Sequence, residues 1–120
     1  MDTGAPVHAT ACADLLSDPS PPEEGGGASF PTRAGEDHPV AAVGTIATPD
    51  IVLGGVSLVP GLGSRRTLIS VRQLARQGLT VTFGRESCQI KDENTGNLVG
   101  EGRLREDGFY YVAYLRIPNK

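Results

Sequence analysis

The chain has 120 residues, among them sixteen glycines and nine prolines, with 38% apolar and 5% aromatic residues and no Trp. That length fits one domain; the helix breakers argue against a helix-rich architecture, glycine lacks the three-residue period of collagen, and no apolar run approaches the roughly 20 residues of a membrane span. Eleven basic against fourteen acidic side chains give a net charge of −3, the wrong sign for a nucleic-acid binder, and so lean an apolar share suggests help from a partner copy.

Met1-Asp2-Thr3-Gly4 has neither a basic nor an apolar signal region, so a cytoplasmic (intracellular) setting is expected. In that reducing compartment Cys12 and Cys88 read as free thiols. No Cys/His group has zinc-ligand spacing, and no metal is expected. Residues 17–39 are dominated by Pro, Gly, acids and small side chains. They have little to bury and read as a flexible insertion.

Val40 to Thr48 carries small and β-branched residues between two prolines. Ile51-Val52-Leu53 and Val56-Ser57-Leu58-Val59 read as two short strands joined by a hairpin turn at Gly54-Gly55. The one convincing helix lies near Ser70 to Gln77. Leu68, Val71, Leu74 and Ala75 recur at helical spacing, Ser70 is its N-cap and Gly78 its C′ residue. Leu79 to Phe83 alternates as a half-buried strand. Residues 85–120 then read as a C-terminal β-meander. Its strands are Cys88 to Lys91, Asn97 to Val99 and Phe109 to Ile117, with turns at Asp92 to Gly96 and Arg105 to Gly108. Phe109, Tyr111, Ala113 and Leu115 should share one face of the last strand.

The chemistry rests on Asp2-Thr3-Gly4, followed by Ala5. A carboxylate held in a tight turn, with Gly allowing the backbone to come close, suits an aspartic protease. There two Asp groups about 3 Å apart share one proton. One acts as base on a water and the other donates to the scissile carbonyl, so the pair titrates as a unit. Such a tripeptide arises by chance about once in twenty chains of this length, and alone it reads more readily as a plain Asx turn. His8 near that turn reads as a structural hydrogen-bonding residue rather than a catalytic one.

The wider context is more specific. Asp2-Thr3-Gly4-Ala5-Pro6-Val7-His8 resembles the Asp-Ser-Gly-Ala-Ser-x-His signature of the protease segment in copia-type LTR retrotransposon polyproteins. His38 to Thr45 is similar to that family's Leu-Pro-Val-x-Gly-x-Gly-Thr, and Val56 to Leu62 to its Val-Leu-Tyr-Val-Pro-Gly-Leu. Thr67 to Leu74 resembles Asn-Leu-Leu-Ser-Val-x-Gln-Leu. Cys88 to Gly100 resembles the following Asp-x-x-Thr-Gly-x-Leu-x-Gly block, and Phe109-Tyr110-Tyr111 the ending near the gag-pre-integrase segment. The motifs are collinear and span the chain outside the Gly/Pro-rich stretch. Pro6 and Ala42 stand where the family has Ser and Gly.

The resemblance implies an all-β, retropepsin-like closed β-barrel with one short helix over residues 1–120, acting as a homodimer. Asp2 from each copy is the implied catalytic residue, and Thr3, Gly4 and Ala5 support its loop. Val40, Ala41, Ala42, Val43 and Gly44 form the implied flap over a peptide or polyprotein substrate, and Leu68, Ile69 and Ser70 back the loop. No organic cofactor, nucleic acid or membrane partner is implied. The implied activity is aspartic endopeptidase cleavage of polyprotein or peptide bonds. The alternative is a catalytically impaired or host-adopted module that binds a protein partner.

Overall fold

The computed structural model describes residues 1, 5–21, 29–31, 37–63 and 67–116. In chain order its strands are β1 (Ala9–Thr10), β2 (Leu16–Ser20), β3 (Ser29–Pro31), β4 (Asp37–Pro39), β5 (Ala42–Ala47), β6 (Ile51–Leu58) and β7 (Thr67–Leu68). The helix α1 (Val71–Arg76) follows, and then β8 (Leu79–Phe83), β9 (Ser87–Asp92), β10 (Leu98–Leu104) and β11 (Tyr110–Arg116). Short 3-10 turns occupy Ala13–Leu15 and Pro60–Leu62.

Nine strands join one mixed sheet, and β3 pairs with β4 in a separate ribbon. The main path runs β2-β5-β6-β11-β10-β9-β8. Strand β6 is its axis. It lies antiparallel to β5 but parallel to both β11 and β1. Strands β8 to β11 pair in chain order as an antiparallel meander. The chain is therefore mainly β with one short helix. The expected closed barrel is not found: among the described residues no ladder joins β2 to β8. Strand β7, which among the described residues pairs only with β1, stops after two residues because Ser70 caps α1 immediately behind it.

The glycine pair is not a hairpin turn. Strand β6 runs straight through it, and the β5–β6 register shows why. Gly44 faces Val56 while Ile46 faces Leu53, so β6 carries one residue more than β5 between those pairs. This is a β-bulge, with Gly55 at φ +69°, a left-handed conformation that favours glycine. The hairpin turn lies earlier, at Thr48 to Ile51. There Thr48 N–H donates to Ile51 O at 2.8 Å and Ile51 N–H to Thr48 Oγ1 at 3.0 Å. Pro49 fixes φ inside that turn. Local turn chemistry at Pro49-Asp50 thus takes the reversal, and the glycines take the bulge.

The last strand differs from its predicted facing too. Gly100 pairs with Leu115 and Gly102 with Val112, so β11 bulges at Ala113. The alternation shifts there: Val112 and Leu115 turn inward, while Phe109 and Tyr111 stay 52% and 44% exposed. By contrast α1 starts and stops as predicted. Ser70 Oγ accepts from Gln73 N–H at 3.0 Å, and Gly78, at φ +83°, donates to Ala75 O at 3.1 Å.

Two apolar clusters hold the fold. The larger joins Leu53, Ile69, Leu74, Ile90 and Leu115 under the sheet, each such burial contributing roughly 1.5–3 kcal/mol. The smaller joins Ala5, Ala9, Phe30 and Val59. Phe30 comes from the stretch expected to bury little, yet it is only 3% exposed. The described parts of residues 17–39 include β2, β3 and β4. Through Phe30 the β3–β4 ribbon packs beside the segment that follows Gly4.

Candidate functional site

Asp2, Thr3 and Gly4 lie outside the described residues. What is described is the chain directly after them and everything that holds it. Ala5 is buried, and its carbonyl accepts from Ser70 Oγ at 2.7 Å. The Pro6 carbonyl accepts from Arg76 Nη2 at 2.8 Å. His8 then enters the sheet: its carbonyl accepts from Ser57 N–H at 2.9 Å, and its own N–H donates to Gln73 Oε1 at 2.7 Å. A segment rich in small apolar residues and proline has few donors of its own. The Ala5 and Pro6 carbonyls are satisfied by the side chains of α1 and its cap instead.

The His8 ring is fully buried. Nδ1 accepts the main-chain N–H of Ser70 at 2.9 Å. A main-chain N–H can only donate, so Nδ1 is unprotonated and Nε2 carries the hydrogen. Nε2 lies 3.2 Å from Gln77 Oε1, which accepts from it. Burial pushes the His8 pKa down to about 4; the Gln77 contact works against that fall and the nearby Arg76 charge reinforces it. The ring is neutral at pH 7 and both nitrogens are engaged, so it holds structure rather than a reacting proton.

The three residues expected to back the loop sit side by side but face different ways. Leu68 packs against the smaller cluster, which contains Ala5. Ile69 enters the larger one. Ser70 bonds Ala5 and His8 directly. Of the flap candidates, Val40 also packs against the smaller cluster, and Ala41 N–H donates to Leu58 O at 2.8 Å. Ala42, Val43 and Gly44 lie in β5, which is flanked by β2 and β6. Val43 is paired on both sides, with Ser20 and Ser57. Those residues are therefore in the interior of a sheet and not at the tip of a hairpin. The element that stands off the main sheet beside Ala5 is the β3–β4 ribbon, whose His38 ring packs against Gly61.

Sequence reasoning missed Gln73, Arg76, Gln77 and Phe30. A signal for two of them was present: positions 70, 73 and 77 are spaced three and four apart, so they share one face of the helix. All three are polar, and that face turns toward the Ala5–His8 segment. Among the described residues no group of three or more His, Cys, Asp or Glu side chains could hold a metal ion, and no helix is long and apolar enough to cross a membrane. Cys12 and Cys88 are buried free thiols, and burial pushes the Cys88 pKa up. No family model, no curated protein and no solved structure matches this chain.

Proposed function

We propose that the chain is a retropepsin-like domain of the copia type, an aspartic endopeptidase whose Asp2 pairs with the Asp2 of a second copy. The reading derives from the Asp2-Thr3-Gly4 tripeptide and the collinear motifs around it. The observation that carries it furthest is the brace on the residues just after that tripeptide. Ser70 Oγ holds the Ala5 carbonyl and Arg76 holds the Pro6 carbonyl. A catalytic carboxylate must be fixed within a few tenths of an ångström, and a tripeptide whose following carbonyls are bonded by a helix and its cap suits that need. In the homodimer the two carboxylates share one proton, one activating water and the other polarising the scissile carbonyl. The substrate is an extended peptide or polyprotein junction, recognised through main-chain hydrogen bonds. The β3–β4 ribbon takes the covering role in place of Val40 to Gly44, because β5 is held on both edges. A cytoplasmic setting and a transposable-element origin belong to the same reading.

The test is cleavage of a peptide library by the unmutated protein and by Asp2→Asn, with light scattering on the same samples. Pepstatin-sensitive cleavage by a dimer, lost in Asp2→Asn, is the expected result. A strict monomer at high concentration, or cleavage that survives the substitution, overturns the reading.

One observation favours the alternative of a protein-binding module. Among the described residues strand β8 pairs only with β9, and its last residue, Phe83, is 41% exposed. An open edge with apolar neighbours is a ready template for strand addition. A partner that binds equally well to Asp2→Asn, with no cleavage by the unmutated protein, would establish that module instead.

A further inference from the structure

Strand β6 has neighbours on its second side only at its ends. Ile51 and Val52 pair with β11, and Ser57 and Leu58 pair with β1. Between them the bulge at Gly54-Gly55 has no strand on that side among the described residues. Two glutamines, one helical turn apart on α1 and at its C-cap, fill the gap. Gln73 Nε2 donates to Gly55 O at 2.9 Å, and Gln77 Nε2 reaches Gly54 O at 3.5 Å. The other ends of the same two amides hold His8: Gln73 Oε1 takes its main-chain N–H at 2.7 Å, and Gln77 Oε1 takes its ring Nε2–H at 3.2 Å. The orientation of each amide follows from its partners. A main-chain N–H demands the oxygen of Gln73, and a carbonyl demands its nitrogen. The His8 tautomer, fixed by Ser70 N–H, demands the oxygen of Gln77.

We propose that Gln73 and Gln77 are positioning residues: a twin-amide clamp that locks the loop after Asp2-Thr3-Gly4 to the β6 bulge, so that loop, helix and bulge move as one body. Its catalytic consequence rests on the protease reading above, but the clamp itself does not. Gln73 spends its donor on the Gly55 carbonyl and its acceptor on the His8 N–H, and Gln77 its donor on the Gly54 carbonyl and its acceptor on the His8 ring, which residues that merely fill space would not do. An Asn in either place would be one methylene too short to span both, and a Leu would leave the His8 N–H and the Gly55 carbonyl without their partners.

The test is amide hydrogen exchange by NMR on the full chain, with peptide cleavage run in parallel. In Gln73→Leu the His8 amide exchanges about tenfold faster, the expected effect of losing one hydrogen bond. The Leu115 amide, which bonds Asp50 O at the other end of β6, keeps its rate. In Gln73→Glu an acceptor remains, so the His8 amide stays protected while the Gly55 carbonyl carbon shift moves. In Gln77→Leu the ring nitrogen shifts of His8 change because Nε2–H loses its acceptor. If Gln73→Leu fails to fold, Gln73→Glu decides through the same two signals. Equal acceleration of all amides in a folded Gln73→Leu, or no change at His8, overturns the clamp. Where the unmutated protein cleaves peptide, kcat in Gln73→Leu falls about tenfold with KM held; an unchanged kcat removes the positioning role. If the unmutated protein cleaves nothing, the protease reading fails while the exchange rates still decide the clamp.

Discussion

At the scale of the residue, His8 sets the pH behaviour of the fold. Its pKa in the folded chain is about 4, against 6.5 for an unperturbed His. Above pH 6.5 both folded and unfolded forms are neutral, and the stabilisation is complete. Between pH 6.5 and 4 the unfolded chain takes up a proton that the buried ring refuses, so stability falls as the pH falls. The loss approaches about 3 kcal/mol and levels off below pH 4. Urea unfolding midpoints measured across this range should decline accordingly. In His8→Asn, whose Oδ1 can accept the Ser70 N–H, that particular decline should vanish. An equally steep decline in the variant would assign the pH dependence to other groups. On the proposed protease reading, with its one shared proton, an acid optimum would be bounded from below by the release of this loop.

His8 also marks how far the sequence could be read. A histidine beside the tripeptide was legible as a structural residue, but its partners were not. Three of its contacts come from residues more than sixty positions away, and no local pattern encodes a hydrogen bond across such a gap. Phe30 was hidden for a different reason. A lone aromatic in a Gly/Pro-rich stretch gives no periodicity, so composition outweighs it until the tertiary fold supplies Ala5, Ala9 and Val59 to bury it.

At the scale of the element, local chemistry was readable wherever one residue decides the backbone. Ser70 and Gly78 bracket α1 because a hydroxyl accepts the free N–H at the start and a left-handed glycine ends the last turn. Asp92 Oδ1 accepts from both Asn94 and Thr95 N–H and, with Thr95 Oγ1 accepting from Asn97 N–H, closes its turn locally. Gly54-Gly55 was ambiguous because the left-handed backbone that makes a hairpin turn also makes a bulge. Only the pairing of β5 across both halves of β6 chooses between them. The two glycines are therefore unequal. Gly55→Ala must hold a side chain at positive φ, and its Cβ would lie 2.7 Å from Gln73 Nε2. A Cβ on Gly54 meets nothing nearer than Thr45 Oγ1 at 3.9 Å. Gly55→Ala should cost about 2 kcal/mol and Gly54→Ala well under half of that, read from denaturant midpoints at unchanged slope. Equal costs would mean that no left-handed residue is needed at the bulge.

At the scale of the molecule, the described strands form two groups joined by a short seam. Among the described residues the meander β8 to β11 pairs with the earlier strands at two positions, Leu115 with Ile51 and Arg116 with Val52. One seam bond, from Leu115 N–H to Asp50 O, is 2.9 Å long, and the Arg116 guanidinium donates to Pro49 O. So narrow a ladder would let the halves open separately if hydrogen bonds alone joined them. The larger apolar cluster opposes this, because Ile46, Leu53 and Val56 from one group share it with Ile90, Val99 and Leu115 from the other. Shared burial is worth more than two ladder pairs, so unfolding should be one cooperative step. The protein carries its own reporter: it has three tyrosines and no tryptophan, and all three tyrosines lie in β11. Tyrosine emission follows the meander, while far-UV circular dichroism follows every strand. The two signals should give one coincident midpoint. Leu115→Ala, which empties a fully buried site at the junction, should lower both together by about 3 kcal/mol. If the tyrosine midpoint falls while the dichroism splits into two steps, the halves are independent units, and the seam is a hinge between them rather than part of a common core.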